Sequence, residues 1–287
     1  MLRGDTGVQP VPPKVETGKF WEGIWGTGVM HNASAKWVSR LREKQRKVIQ
    51  QDKVTIGVDE LKKRVQRMKN WTAPGHDMIH AYWLKKFTSL HGPMAKQLGQ
   101  LLEDGDHPEW LTRGRTVLIM KDQSKGAVPS NYRPITCFLT MWKLFSGVFA
   151  DKIEHHMGEH ISDSQKGVGR GTRGAKHQLV IDKTVAGDSR RRSTNLAMAW
   201  IDYKKAYDSV PHSWILECLE LYKIHPSIRE FIATSMNHWK TRLVANNQDI
   251  DTVNIRRGIY QGDSLSPLLF CIALNPLSTL LAESKCA

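Results

Sequence analysis

An apolar run of six residues, Leu196, Ala197, Met198, Ala199, Trp200 and Ile201, ends directly in a carboxylate, Asp202. It restricts the fold more than any other feature of the chain. A run of that length bounded by a charge reads as a buried strand that delivers one acid to the edge of a site. Burying a carboxylate is costly unless a cation or hydrogen bonds meet it, and a metal ion would meet it. A second segment, Gly258 to Phe270 (GIYQGDSLSPLLF), starts 56 residues later and turns on glycines before entering an apolar stretch.

The chain has 287 residues, 40% hydrophobic and 24% charged, the make-up of a soluble globular protein with room for one large core or two modest ones. No apolar run approaches the roughly 18 residues a membrane span needs, and the N-terminus, MLRGDTGVQPVPPK, has no signal-type hydrophobic stretch. The expected location is intracellular, nuclear or cytoplasmic, with no membrane partner. The 42 Lys and Arg outnumber the 28 Asp and Glu for a net charge of +14, which points to a polyanion, nucleic acid ahead of an acidic membrane surface. Cys137, Cys218, Cys271 and Cys286 are widely spaced and suit reduced structural thiols. His155, His156 and His160 form the densest histidine group, but adjacent helical positions diverge and make a poor chelate.

Along the chain, residues 1–32 carry Pro10, Pro12 and Pro13 with Phe20, Trp21 and Trp25, and read as a flexible arm. Residues 33–54 and 58–69 read as basic helices; residues 1–70 hold 15 Lys and Arg against 7 acids, a surface suited to phosphates or a merely solvated face. Pro74-Gly75 break the second helix, Asp77 offers a cap, and a helix follows to about Phe87 with Ile79, Trp83 and Phe87 at four-residue spacing. Further helices are expected over 93–102, 139–156, 213–222, 226–238 and 265–282, a strand over 115–120, and a hairpin of 241–245 with 252–256 around Asn246-Asn247. Gln165 to Gly174 is a basic Gly-rich loop without a Walker ending, and Asp188 to Arg192 a charged turn.

Nucleotidyl transfer uses two divalent ions held by strand-end carboxylates, one activating a hydroxyl and one steadying the leaving pyrophosphate. Asp202 suits the first carboxylate, and Tyr203 offers a backbone carbonyl as a further ligand. Asp208 reads better as a cap for the helix near Pro211. Tyr207 is either a core aromatic or a ring packed under a sugar, where it would reject a 2′-hydroxyl by sterics. In Gln261-Gly262 the glycine permits close backbone approach to a base or sugar, while Ser264, Ser266 and Pro267 suit an ordinary helix start.

Five blocks in order resemble the reverse transcriptases of non-LTR retrotransposons, and beyond them those of group II introns: KNWTAPGHDMIHAYWLKKF (69–87), Pro108 to Lys121 ending in TVLIMK, NYRPITCFLTMWKLFSGVFADKI (131–153), ISDSQKGVGRGTRGAKHQL (161–179), and the pair IDYKKAYDSVPH with GIYQGDSLSPLLF. The resemblance runs from about residue 58 to the end. It implies an α/β (α+β) fold, the fingers and an incomplete palm of a right-hand polymerase, over 58–287, preceded by a basic helical N-terminal extension, 1–57. It implies that Lys121 and Arg133 hold the incoming triphosphate, that Asp202 is the first metal-binding aspartate, that Tyr207 is the sugar-gate aromatic, and that Gln261 and Gly262 contact dNTP and template. The implied partners are an RNA template, a DNA primer and dNTP; the implied cofactor is Mg²⁺ in a two-metal site, a nucleotidyltransferase. The family's third palm motif carries two adjacent aspartates, whereas Leu268 to Ala287 holds one acid, Glu283. The expectation is therefore an incomplete metal site and no polymerisation by this chain alone; the alternative is a non-catalytic nucleic-acid-binding fragment or domesticated remnant.

Overall fold

β-Branched residues concentrate in four short segments, and these form one mixed sheet. The computed structural model describes residues 10–167 and 173–283. The strands are β1 (Gly114–Met120), β2 (Tyr132–Cys137), β3 (Lys240–Ala245) and β4 (Gln248–Asn254), in the order β2-β1-β3-β4. β1 pairs antiparallel with β2 and parallel with β3, and β3 pairs antiparallel with β4. Around the sheet lie α1 (Lys14–Trp25), α2 (Lys36–Lys44), α3 (Val58–Arg67), α4 (Ala81–Lys86), α5 (His91–Asp104), α6 (Thr140–Met157), α7 (Ala175–Arg192), α8 (Ala206–Ser209), α9 (His212–Leu221), α10 (Pro226–His238) and α11 (Ser266–Glu283).

Local chemistry explains most boundaries. Asn246 and Asn247 take φ of 47° and 62°, the paired left-handed geometry that a two-residue hairpin turn demands and asparagine tolerates. Pro226 opens α10, where its missing N–H costs nothing, and the His225 ring accepts from the Ser227 N–H. Gly114, Thr116, Leu118 and Met120 of β1 face inward. On that face the Thr116 hydroxyl lies 2.7 Å from those of both Thr136 and Thr241, so three strands share a buried polar ladder. The main core unites Trp21 of α1, Leu61 of α3, Leu98 of α5, Phe149 of α6, Phe231 of α10 and Leu269 of α11. α11 is long and apolar enough to cross a membrane by composition, and its first half is packed into this core.

Several expectations change. Residues 14–25 are not a loose arm: the prolines only delay the helix to Lys14, and α1 then lies against β4 with Trp21 fully buried and stacked on Trp25 at 4.5 Å. The charged turn at 188–192 is the last turn of α7, where Arg191 and Arg192 pair with Asp188 at helical spacing (2.6 and 3.0 Å). Asp77 accepts from the Ile79 N–H and tightens a turn, while α4 begins only at Ala81. The largest change concerns 196–201. These residues form no strand, and Trp200 and Ile201 are 76% and 75% exposed. A strand needs a neighbour for its N–H and C=O groups, and among the described residues none lies beside this run. Gly169, Arg170 and Gly171 of the Gly-rich loop lie outside the described residues.

Candidate nucleotide-binding face

The β1–β2 hairpin presents two cations. Its register pairs Ile119 with Arg133, so their side chains share the outward face. Lys121 follows Ile119 by two residues and returns to that face; its N–H donates to the Asn131 carbonyl at 2.8 Å, one step beyond the strand. Lys121 and Arg133 are therefore diagonal neighbours, roughly 7–8 Å apart at the backbone, and both are exposed. The loop between them is braced from inside. Asn131 Nδ2 donates to the carbonyls of Asp122 (2.6 Å) and Gly126 (2.9 Å), and Asp122 accepts from the backbone and hydroxyl of Ser124. A planar guanidinium fork and a compact ammonium on a braced hairpin are suited to a polyphosphate.

Next to Lys121 lies the turn before α8. Asp208 is buried, 4% exposed, and accepts from Trp25 Nε1 at 3.2 Å. Burial pushes its carboxyl above the ordinary value, opposed by Lys205, the Trp25 bond and Lys121. Lys205, at φ 53°, places its ammonium over the rings of Trp21 (4.4 Å) and Phe20 (4.8 Å), and burial lowers its affinity for the proton. Lys121 acts on both groups, so the three charges share one neighbourhood. Asp208 is thus no helix cap: its partner is an indole 183 residues earlier in the chain. Trp25→Phe removes that donor and is expected to lower unfolding stability by about 2 kcal/mol. Urea denaturation checks this; a midpoint equal to wild type would show that the bond contributes nothing.

The Gly258–Phe270 segment docks on the same turn. Gly258 N–H donates to Val210 O and Ile259 N–H to Tyr207 O, both at 2.8 Å. His212 Nε2 lies 2.8 Å from Gly258 O; burial brings the imidazole down to about 4, so the ring is neutral at pH 7 and carries its proton on Nε2 toward that carbonyl. Tyr207 is half-buried, its ring 4.8 Å from Phe270, and burial raises its phenol. Gln261 O accepts from Thr136 N–H of β2 at 2.7 Å. Gly262 has φ 115°, and a Cβ there would sit 2.6 Å from Thr136 O. The close approach that requires glycine is thus to β2 itself. Beneath it, fully buried Asp263 accepts from Trp142 Nε1 (3.1 Å), Ser146 Oγ (2.8 Å) and Ser264 N–H (2.8 Å), all on Oδ1. Its carboxyl is raised by burial, against these hydrogen bonds.

The structure therefore brings Lys121 and Arg133 onto one face, with Tyr207, Gln261 and Gly262 tied to neighbouring backbone. Asp202 and Tyr203 lie on the exposed irregular segment. Among the described residues no three His, Cys, Asp or Glu side chains cluster as metal ligands. Asp202 faces solvent and Asp208 is committed to Trp25, so these residues do not by themselves fit a two-metal centre. Sequence reasoning missed Trp25 and Asp263. The tryptophan-rich FWEGIW and an acid directly after Gln261-Gly262 were the available signals.

Residues 119–287 match the family described as reverse transcriptase (RNA-dependent DNA polymerase). The Pol polyprotein of the type-1 retrotransposable element R2 of Popillia japonica is 30% identical over 219 residues, 73% of this chain and 29% of that protein. Its counterpart in Nasonia vitripennis is 26% identical over 285 residues, 99% of this chain and 26% of the relative. The transposon TX1 149 kDa protein of Xenopus laevis is 23% identical over 229 residues, 79% of this chain and 17% of the relative. The chain thus spans less than a third of the length of these curated relatives.

Proposed function

Since the chain belongs to the reverse transcriptase family, the RNA-dependent DNA polymerases of non-LTR retrotransposons, we propose that it supplies the fingers and part of the palm for RNA-templated DNA synthesis. In that reaction a primer 3′-hydroxyl, losing its proton, attacks the α-phosphate of a dNTP selected by the template, the α–β phosphoanhydride bond breaks and pyrophosphate leaves. Lys121 and Arg133 hold the triphosphate, Tyr207 packs against the sugar, and Gln261-Gly262 line the nucleotide and template. Asp202, with the Tyr203 carbonyl, matches the family's first Mg²⁺ position; alone they do not make a two-metal centre. Residues 58–287 are the polymerase part, and 1–57 a basic extension whose α1 buttresses it.

The observation that carries this reading is the diagonal Lys121–Arg133 pair on a braced hairpin whose second strand also seats Gly262. The test is binding of a fluorescent dNTP to the chain at fixed salt. Each charge-assisted contact contributes ~1.5–3 kcal/mol, so Lys121→Ala and Arg133→Ala are each expected to weaken binding by about tenfold or more. An unchanged affinity in the double variant would sink the assignment.

A further inference from the structure

The apolar stripe of α4 faces outward. Trp83 and the C-cap residue Phe87 lie one helical turn apart, Ile79 precedes the helix, and all three are exposed, while Ala81 and Leu84 fill the core side. Trp71, just before Pro74-Gly75, joins them: Trp71, Trp83 and Phe87 are 67%, 47% and 51% exposed. Their rings are ordered. Trp71 stacks on Tyr82 at 5.0 Å and 15°, Tyr82 meets Trp83 edge-on at 5.3 Å, and Trp83 stacks on Phe87 at 5.7 Å and 14°. Two near-parallel pairs are thus joined at one corner on the open surface. An apolar patch of this kind marks a contact surface, because leaving it in water has a free-energy cost.

The rim says what kind of contact. Lys62 to Lys86 contains seven Lys and Arg against one acid, Asp77. Lys69, Lys85 and Lys86 form no ion pair among the described residues, and the Lys86 ammonium lies 5.5 Å from the centre of the Tyr82 ring. A cleft of about 390 Å³ lined by Arg67, Lys69, Thr72, Lys143 and Gly262, and by no carboxylate among the described residues, leads from this rim to the segment that lines the proposed nucleotide site. Exposed aromatic faces set among cations suit a ligand with flat rings on a phosphate chain. Paired A-form RNA hides its base faces, whereas unpaired RNA presents them.

We propose that the Trp71–Tyr82–Trp83–Phe87 ladder is a stacking platform for the bases of single-stranded RNA, with Lys69, Lys85 and Lys86 on its phosphates, where the strand approaches Gly262. That the RNA is a template rests on the function proposed above; the stacking itself does not.

The full chain is titrated with a short unstructured fluorescein-labelled RNA, with the same RNA carrying abasic residues, and with an RNA duplex, reading anisotropy at several salt concentrations. Wild type is expected to bind the unpaired RNA about tenfold or more tightly than the abasic strand. Trp71→Ala with Trp83→Ala is expected to remove that difference while leaving abasic binding and the salt slope unchanged, and Trp→Phe at both positions to retain most of it. Both tryptophans are exposed, and a matching thermal melt verifies folding. Unpaired RNA bound equally well by wild type and the double Ala variant overturns the platform alone. No RNA binding by wild type overturns the platform and the proposed function together. Unchanged RNA affinity with altered self-association overturns it in favour of a second copy of the chain.

Discussion

Gly262→Ala is expected to reduce unfolding stability by about 3 kcal/mol or more, the sum of two independent costs. An L-residue held at φ 115° is strained by on the order of 1–3 kcal/mol. The added Cβ also falls 2.6 Å from the Thr136 carbonyl oxygen, well inside contact distance. That oxygen is backbone in a sheet strand and cannot swing aside, so relief requires β2 to shift, at a further ~1–3 kcal/mol. The shift would also strain the 2.7 Å bond from Thr136 N–H to Gln261 O. Urea unfolding with an unchanged m-value is the measurement; a loss under about 0.5 kcal/mol would mean that the approach to β2 is loose.

Asp263→Ala strikes the same corner from below. It leaves the Trp142 indole, the Ser146 hydroxyl and the Ser264 N–H without the acceptor they share. At ~1–3 kcal/mol for each stranded buried group, offset by removal of a buried charge, the net loss is about 3 kcal/mol. Asp263→Asn keeps an acceptor oxygen and is expected to lose less. The pH dependence has a definite sign. Burial raises the folded-state carboxyl above its ordinary value. The stability this group contributes is therefore complete below the unfolded value near pH ~4 and is lost as pH rises through the folded value. Asp263→Asn has no such titration, so its stability relative to wild type should improve from pH ~4 toward neutrality. Denaturation at both pH values checks this; a difference that moves the other way would refute the inferred burial of the charge.

What the sequence disclosed depended on the range of the interaction. β1, α10 and the Asn246-Asn247 turn are written in neighbouring residues: a short apolar run ended by charges, a proline at a helix start, two asparagines that accept positive φ. β2 was disguised by Arg133 and Pro134, and it lies at the sheet edge, where a proline is tolerated. The run 196–201 has the composition of a strand, but a strand is a property of a pair, and no partner lies beside it among the described residues. The four-residue spacing of Ile79, Trp83 and Phe87 suggested one helical face, but the helix begins only at Ala81, and Trp83 and Phe87 meet solvent rather than core. The family signature named Lys121, Arg133, Tyr207, Gln261 and Gly262 as candidate site residues and said nothing of how they pack. It carried no information on the contacts of Asp208 or Asp263, which reach across the molecule to Trp25 and Trp142.

The docking of α1 has a temporal consequence. Asp208, which accepts from the Trp25 indole, lies 183 residues downstream, and the helix backbone also receives the N–H of Arg256 at Trp25 O. At ~5–20 residues per second, a ribosome that has just released this helix needs on the order of 10–40 s before the surfaces that cover it have been synthesised. Phe20, Trp21 and Trp25 therefore lack these covering surfaces throughout that interval. The nascent chain is open to chaperone capture and self-association during that interval, because this packing waits for α1 to meet β4.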